Sequence, residues 1–134
     1  MLTNDTFGVG ERLVFVHGFT QTRDSWRSLT TTMSANNEIV LVDAPNHGES
    51  IDISLNLENG ANAIIEVGGY ATYIGYSLGA RLCLTAALSN PKQIRRLVLI
   101  SGTAGIEDSI ERQNRITNDE QLATRITQIG IHSF

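Results

Sequence analysis

Four short apolar runs punctuate the chain, and each gives way to a different pattern. Residues 13–16 (LVFV), 39–42 (IVLV) and 97–100 (LVLI) are continuously apolar, and residues 70–74 form a weaker run of the same kind. Such runs predict strands buried on both faces, as in a parallel sheet. Between them the period lengthens. Trp26, Leu29 and Met33 recur at helical spacing after Ser25, which stands where a cap is expected, and Asn36-Asn37 ends the pattern. Residues 57–67 predict a helix interrupted by Gly60 and closed by Gly68-Gly69. Residues 78–88, rich in Ala and Leu, predict a helix that starts beside Ser77 and stops at Asn90-Pro91. From Glu107 onward Ile110, Leu122, Ile126 and Ile129 lie among many charges, predicting one or two amphipathic helices that end at Gly130. Strands alternating with helices make βαβ units, so the predicted class is α/β, with a mostly parallel sheet and helices on both faces.

Composition narrows the class without changing it. At 134 residues, 41% hydrophobic and 18% charged, the chain has the balance of a soluble globular domain and is neither disordered nor fibrous. A net charge of -4 argues against nucleic acid as a general partner, because phosphate binding needs clustered Lys and Arg. The first ten residues are polar and acidic where an export signal would need a basic start and an apolar core. No apolar run approaches the roughly 18 to 20 residues of a membrane-spanning helix. The single cysteine, Cys83, lies in an apolar stretch and reads as a small core residue. The expectation is a cytoplasmic protein with no membrane partner. Lys92 is the one lysine among ten basic residues, and arginine is the residue suited to two-pronged contact with carboxylates.

Gly75-Tyr76-Ser77-Leu78-Gly79 fits the Gly-x-Ser-x-Gly elbow, with an apolar strand before it and an Ala/Leu-rich helix after it. In that motif a sharp strand-to-helix turn exposes the serine hydroxyl, so Ser77 is the candidate nucleophile. His17-Gly18-Phe19 follows the first apolar run and can supply a backbone donor to a developing oxyanion. The expected pair of donors is the Phe19 and Leu78 N–H groups. Three histidines compete as general base. His17 and His47 precede the serine, whereas in an elbow enzyme the acid and then the histidine follow it, and His132 has no strand before it to present it. Arg81 is one helical turn beyond Ser77, placed to meet a ligand carboxylate or to form a structural ion pair. Arg112 and Arg115 share a helix face, Arg112 reading as a solvated charge.

With the His17-Gly18-Phe19 segment, the loop Asp43-Ala44-Pro45-Asn46-His47-Gly48-Glu49-Ser50 and the elbow in this order, the chain resembles the α/β-hydrolase superfamily along its length. Finer features resemble the 2-succinyl-6-hydroxy-2,4-cyclohexadiene-1-carboxylate synthase family of menaquinone biosynthesis. These are Ala80-Arg81 after the elbow, Ser101-Gly102-Thr103-Ala104-Gly105-Ile106, and the segment running from Glu111-Arg112 through Arg115 to Asn118-Asp119-Glu120. Ala80, Asn46 and Ala104 depart from it, standing where that family has glycine, glycine and proline.

The resemblance implies a lyase on a hydrolase scaffold that eliminates pyruvate from an enolpyruvyl cyclohexene carboxylate, without a metal or organic cofactor. It gives Ser77 the proton abstraction, Phe19 and Leu78 the oxyanion, and Arg81 and Arg115 the carboxylates of a small anionic substrate. It also implies that residues 1–134 are the N-terminal part of one hydrolase domain, with a helical cap starting near residue 107. The strands bearing the aspartate and histidine of the triad would then lie beyond Phe134. Two further readings stand beside the lyase: a general carboxylic-ester hydrolase, and a truncated, inactive or partner-dependent chain that self-associates through an exposed sheet edge.

Overall fold

The computed structural model describes residues 1–133, the side chain of His132 excepted. Its strands are β1 (Asn4–Phe7), β2 (Glu11–Val16), β3 (Asn37–Val42), β4 (Ala71–Tyr76) and β5 (Ile94–Ile100). Its helices are α1 (Arg27–Met33), α2 (Leu57–Gly68), α3 (Leu78–Ser89) and α4 (Ser109–Ile129), with 3-10 turns at Arg23–Trp26, Gly48–Ser50, Pro91–Gln93 and Ile131–Ser133. The chain divides into two compact units, Met1–Thr103 and the segment from Ala104 onward. The first unit holds a five-stranded sheet in the order β1-β3-β2-β4-β5. Strands β2 to β5 are parallel and β1 runs antiparallel along β3. In the shared register Val16 lies opposite Val42 on one side and Gly75 on the other, so the carboxyl ends of β2, β3 and β4 finish level.

The continuous apolar runs follow from alternation across this sheet. Val14, Val16, Val40, Val42 and Tyr73 point into one layer, against Ile64 of α2 and Leu82 and Cys83 of α3. Leu13, Phe15, Ile39, Leu41 and Ile74 point into the other, where Phe7, Trp26 and Met33 cover them. Each such side chain contributes about 1.5–3 kcal/mol when fully buried, and a strand needs apolar residues at every position to draw on both layers. Burial pushes the Cys83 thiol up to about 12, which leaves it an inert core residue.

Several elements differ from the sequence-based expectation. Strand β1 was not visible in the pattern, because its four residues are polar or half-buried and gain their pairing only from β3. Ser25 does not cap α1: it lies inside the 3-10 turn, and Trp26, at the N-cap, makes no side-chain cap bond. Helix α2 runs unbroken through Gly60, because the missing Cβ lets Pro45 and Leu82 close on the helix; an added Cβ would meet Leu82 Cδ2 at 3.1 Å and Pro45 Cγ at 3.3 Å. Strand β5 was expected to be buried on both faces, yet Val98, Leu99 and Ile100 are each at least 40% exposed. It pairs with β4 alone among the described residues. The tail is one helix, α4, but not the amphipathic one expected: none of its residues is buried and only Leu122 and Ile126 are half-buried. It is opened by Asp108, whose carboxylate accepts from the Ile110 and Glu111 N–H groups, and closed by Gly130 at φ 79°.

Candidate active site

Phe19, His47, Ser77 and Leu78 follow the level carboxyl ends of β2, β3 and β4, the edge at which open parallel sheets place their ligands, whereas Arg115 belongs to α4 of the second unit. At the end of β4 the backbone of Ser77 takes φ 52°, ψ -107°, a strained conformation for a residue with a side chain. The glycines on either side are needed for space rather than for left-handed backbone. A Cβ on Gly75 would strike the Gly79 carbonyl, and one on Gly79 would strike the Val16 carbonyl of β2. The turn is held by the Ser77 N–H, which donates to the Ile100 carbonyl at 2.9 Å, and by the Arg81 N–H, which donates to the Ser77 carbonyl at 3.2 Å. Beyond Ile100 the chain leaves through Ser101 at φ 53°. Gly102 lies so near Ala80 that a Cβ there would sit 2.5 Å from the alanine methyl. The Ser77 side chain is half-buried, and its hydroxyl makes no hydrogen bond among the described residues.

The loop after β2 supplies the other wall. Gly18 is buried, its N–H donates to Gln21 Oε1 at 2.9 Å, and its carbonyl accepts from the Gln21 N–H at 3.3 Å. A Cβ on Gly18 would meet the Tyr76 ring at 2.8 Å, so only glycine passes beneath that ring. The Phe19 and Leu78 N–H groups have no acceptor among the described residues, Leu78 being the first residue of α3. Two unpaired donors, one at a helix start, can hold a negative oxygen. Gln21 was not anticipated; its spacing of three from Gly18 is a turn signal and carries no mark of a side chain bonded back to the backbone.

His17 is fully buried with both ring nitrogens engaged. Nε2 accepts from the Ala44 N–H at 3.0 Å, so the proton sits on Nδ1, which donates to the Gly18 carbonyl at 2.8 Å. Burial holds its pKa below the ordinary 6.5; the Gly18 bond and Asp43 oppose the shift and His47 adds to it. The Asp43 carboxylate lies 3.9 Å from Nε2, but a neutral ring whose Nε2 already accepts a proton is no ion-pair partner. Asp43 serves elsewhere. Completely buried, it accepts from the Arg23 N–H at 2.7 Å, from the Glu49 N–H at 2.9 Å and from the Arg23 guanidinium. Arg23 also reaches Asp5 Oδ2 at 3.2 Å and Glu49 Oε2 at 3.0 Å. Burial works against its charge, but the bonds to Asp5 and Asp43 outweigh it and hold the guanidinium charged. This network fastens the loop after β2 to the loop after β3.

His47, half-buried, bonds through Nδ1 to the Pro45 carbonyl at 2.8 Å and lies against the His17 and Phe19 rings, with centroids 5.2 and 5.9 Å away. The side chain of His132 lies outside the described residues. Asn46 takes φ 63°, a left-handed conformation that asparagine tolerates better than most residues with a side chain. Arg81 is exposed and its guanidinium has no partner among the described residues, so the structural ion pair considered for it is not formed. In the second unit, Arg115 pairs through Nε with Asp119 at 2.8 and 2.9 Å. Arg112 is exposed but is more than a solvated charge: it donates to the Ile106 and Glu107 carbonyls at 3.0 and 2.9 Å, tying down the loop before α4. Among the described residues no cluster of three or more His, Cys, Asp or Glu could hold a metal ion, and no helix is long and apolar enough to cross a membrane.

A mostly parallel sheet with helices on both faces and a strained serine between strand and helix are the marks of an α/β-hydrolase. Residues 11–122 match the family model described as alpha/beta hydrolase fold, and the chain belongs to that family. It is similar to 2-succinyl-6-hydroxy-2,4-cyclohexadiene-1-carboxylate synthase of Klebsiella pneumoniae, at 35% identity over 84% of this chain and 47% of that protein. It is also similar to a pimeloyl-acyl-carrier-protein methyl ester esterase of Nitrosomonas europaea, at 30% identity over 74% of this chain and 40% of that one. A thermophilic esterase from Thermogutta terrifontis shares the fold, with a TM-score of 0.80 at 20% identity over 96% of this chain and 49% of the other. The chain thus spans about half the length of these relatives.

Proposed function

We propose that the chain carries the nucleophile half of a menaquinone-pathway lyase, which eliminates pyruvate from 2-succinyl-5-enolpyruvyl-6-hydroxy-3-cyclohexene-1-carboxylate. The observation that carries the reading is the unpartnered Arg81 guanidinium one helical turn beyond the strained Ser77, together with the synthase likeness. An exposed arginine with no internal ion pair is free to take a ligand carboxylate in a two-pronged contact. In this reading the Ser77 hydroxyl, relieved of its proton by a histidine, takes a proton from the substrate. The Phe19 and Leu78 N–H groups hold the negative charge that develops. The electron pair left by the proton forms a ring carbon–carbon double bond as the carbon–oxygen bond to the enolpyruvyl group breaks. The departing enolpyruvate takes a proton at carbon to become pyruvate, which restores the serine and histidine. The resemblance assigns Arg115 to a second substrate carboxylate. No cofactor is required, and the site is cytoplasmic.

The base is not His17, whose nitrogens are both committed, nor is Asp43 its orienting acid, since Arg23 and Glu49 occupy it. We assign the triad's aspartate and histidine to a segment following this one, in the chain order usual for the fold. An ester hydrolase is the second reading, favoured by the methyl ester esterase likeness, because an elbow and two backbone donors serve acyl transfer equally well.

The test is pyruvate release by the complete gene product, followed beside hydrolysis of a simple carboxylic ester. Pyruvate release that Ser77→Ala abolishes, and that Arg81→Ala weakens mainly through KM, supports the lyase. Ester cleavage alone, indifferent to Arg81, selects the esterase. Neither activity, in a gene that ends at Phe134, leaves an inactive or partner-dependent chain.

A further inference from the structure

We propose that His17 is a positioning residue for the oxyanion donor: by holding the Gly18 carbonyl, its Nδ1–H aims the Phe19 N–H. The proposal rests on the reading of Ser77 as the reactive hydroxyl and of Phe19 as one of its two donors. The peptide that joins Gly18 to Phe19 is planar and trans, so its C=O and its N–H point in opposite directions. Whatever fixes the carbonyl fixes the N–H. Two groups hold that carbonyl, the His17 Nδ1–H at 2.8 Å and the Gln21 N–H at 3.3 Å, and the imidazole is much the closer.

The ring can do this because it cannot turn. Its Nε2 is fixed by the Ala44 N–H at the end of β3, its faces are buried, and the His47 ring lies 5.2 Å away. The loop needs such a fixture, since residues 17–22 belong to neither β2 nor the 3-10 turn that follows and Thr20 is held at φ 62°. If the peptide flipped, a carbonyl would face the site in place of an N–H, and the developing charge would meet an acceptor. The histidine that follows β2 thus acts in its neutral form, through the backbone, and takes no proton in the reaction.

Two variants of the complete gene product separate this role from simple anchoring. His17→Leu fills the space and loses both bonds, whereas His17→Asn keeps an N–H donor near the position of Nδ1 and loses the bond to Ala44. Positioning predicts that His17→Leu lowers kcat about 10²- to 10³-fold, the size of losing one oxyanion donor, with KM nearly unchanged. His17→Asn recovers most of that loss, although both variants melt at a lower temperature. The proposal is overturned if His17→Leu keeps its kcat, if KM rises as kcat falls, or if a folded His17→Asn is as slow as His17→Leu.

The Phe19 amide resonance provides a readout that needs no turnover. It moves in His17→Leu and returns toward its native position in His17→Asn; an amide that stays put in His17→Leu overturns the proposal. If the native protein releases no pyruvate and cleaves no ester, the proposed function has failed, and the amide alone decides the role of His17. If His17→Leu does not fold, His17→Asn against the native protein decides: a displaced amide overturns the proposal and a retained one supports it.

Discussion

At the residue scale, the buried imidazole of His17 ties the stability of the fold to pH. Above about pH 7 the ring is neutral in both the folded and unfolded chain and adds no pH dependence. As pH falls through 6.5, the ordinary value, the unfolded chain takes a proton that the folded ring refuses. Stability is then lost toward acid, by up to about 1.4 kcal/mol per pH unit, until the folded ring itself titrates. The groups facing the ring are the His47 imidazole and the Asp43 carboxylate, and the latter is already bonded to Arg23 and Glu49. Asp5 acts in a separate, more acid window. The Arg27 bond, against some desolvation and with help from Arg23, holds its carboxyl below the ordinary 3.8, so its contribution is present above that value and lost only below it. Denaturant unfolding at a series of pH values checks the assignment: the native protein should lose stability as the pH falls below 6.5, and His17→Leu should lose less across the same interval. An equal slope in both proteins would move the effect to another group.

At the scale of elements, α2 shows how local chemistry and tertiary fit combine. Its N-cap, Asn56, accepts the Asn59 N–H at 2.8 Å, and its apolar side places Ile64 in the core. Asn56→Ala should therefore cost about 1 kcal/mol, seen as a lower denaturant midpoint at an unchanged slope; no change would mean that packing alone sets where the helix begins. The same contrast explains what the sequence made legible. β2 and β3 were readable because the last four positions of each, 13–16 and 39–42, are apolar and buried on both faces of the sheet. β1 was not, since its four residues owe their extended form to β3. The apolar run of β5 identified a strand but misjudged its burial, because burial depends on what lies beyond the sheet edge. In the site, the elbow was readable as a motif, although Gly75 and Gly79 prove to be spacers against backbone carbonyls. The Gln21 clasp on Gly18 and the Arg23–Asp43 link were not readable, since each joins a side chain to a group whose position only the folded loops define.

Across the whole molecule, the exposed edge governs how this polypeptide behaves when made as these 134 residues alone. On the β1 side the edge strand is short and polar, a form that discourages further pairing. On the other side β5 carries Val98, Leu99 and Ile100 exposed, and among the described residues no strand pairs with its outer edge. Its only charged residues, Arg95 and Arg96, sit near its start and are paired with Glu11 of β2. They therefore guard the end of β5 away from the site and leave the apolar end open. Edge strands of that composition take up further strands, so this polypeptide should self-associate through β5 in a concentration-dependent way. Sedimentation velocity over a dilution series measures this directly. Val98→Lys, which puts a charge in the open stretch, should shift the distribution toward monomer, whereas the same charge at the exposed Ile110 of α4 should not. A native monomer at every concentration would mean that the apolar end of β5 is covered within the single chain. Equal rescue by the two lysines would mean that general solubility, rather than the open edge, controls the association.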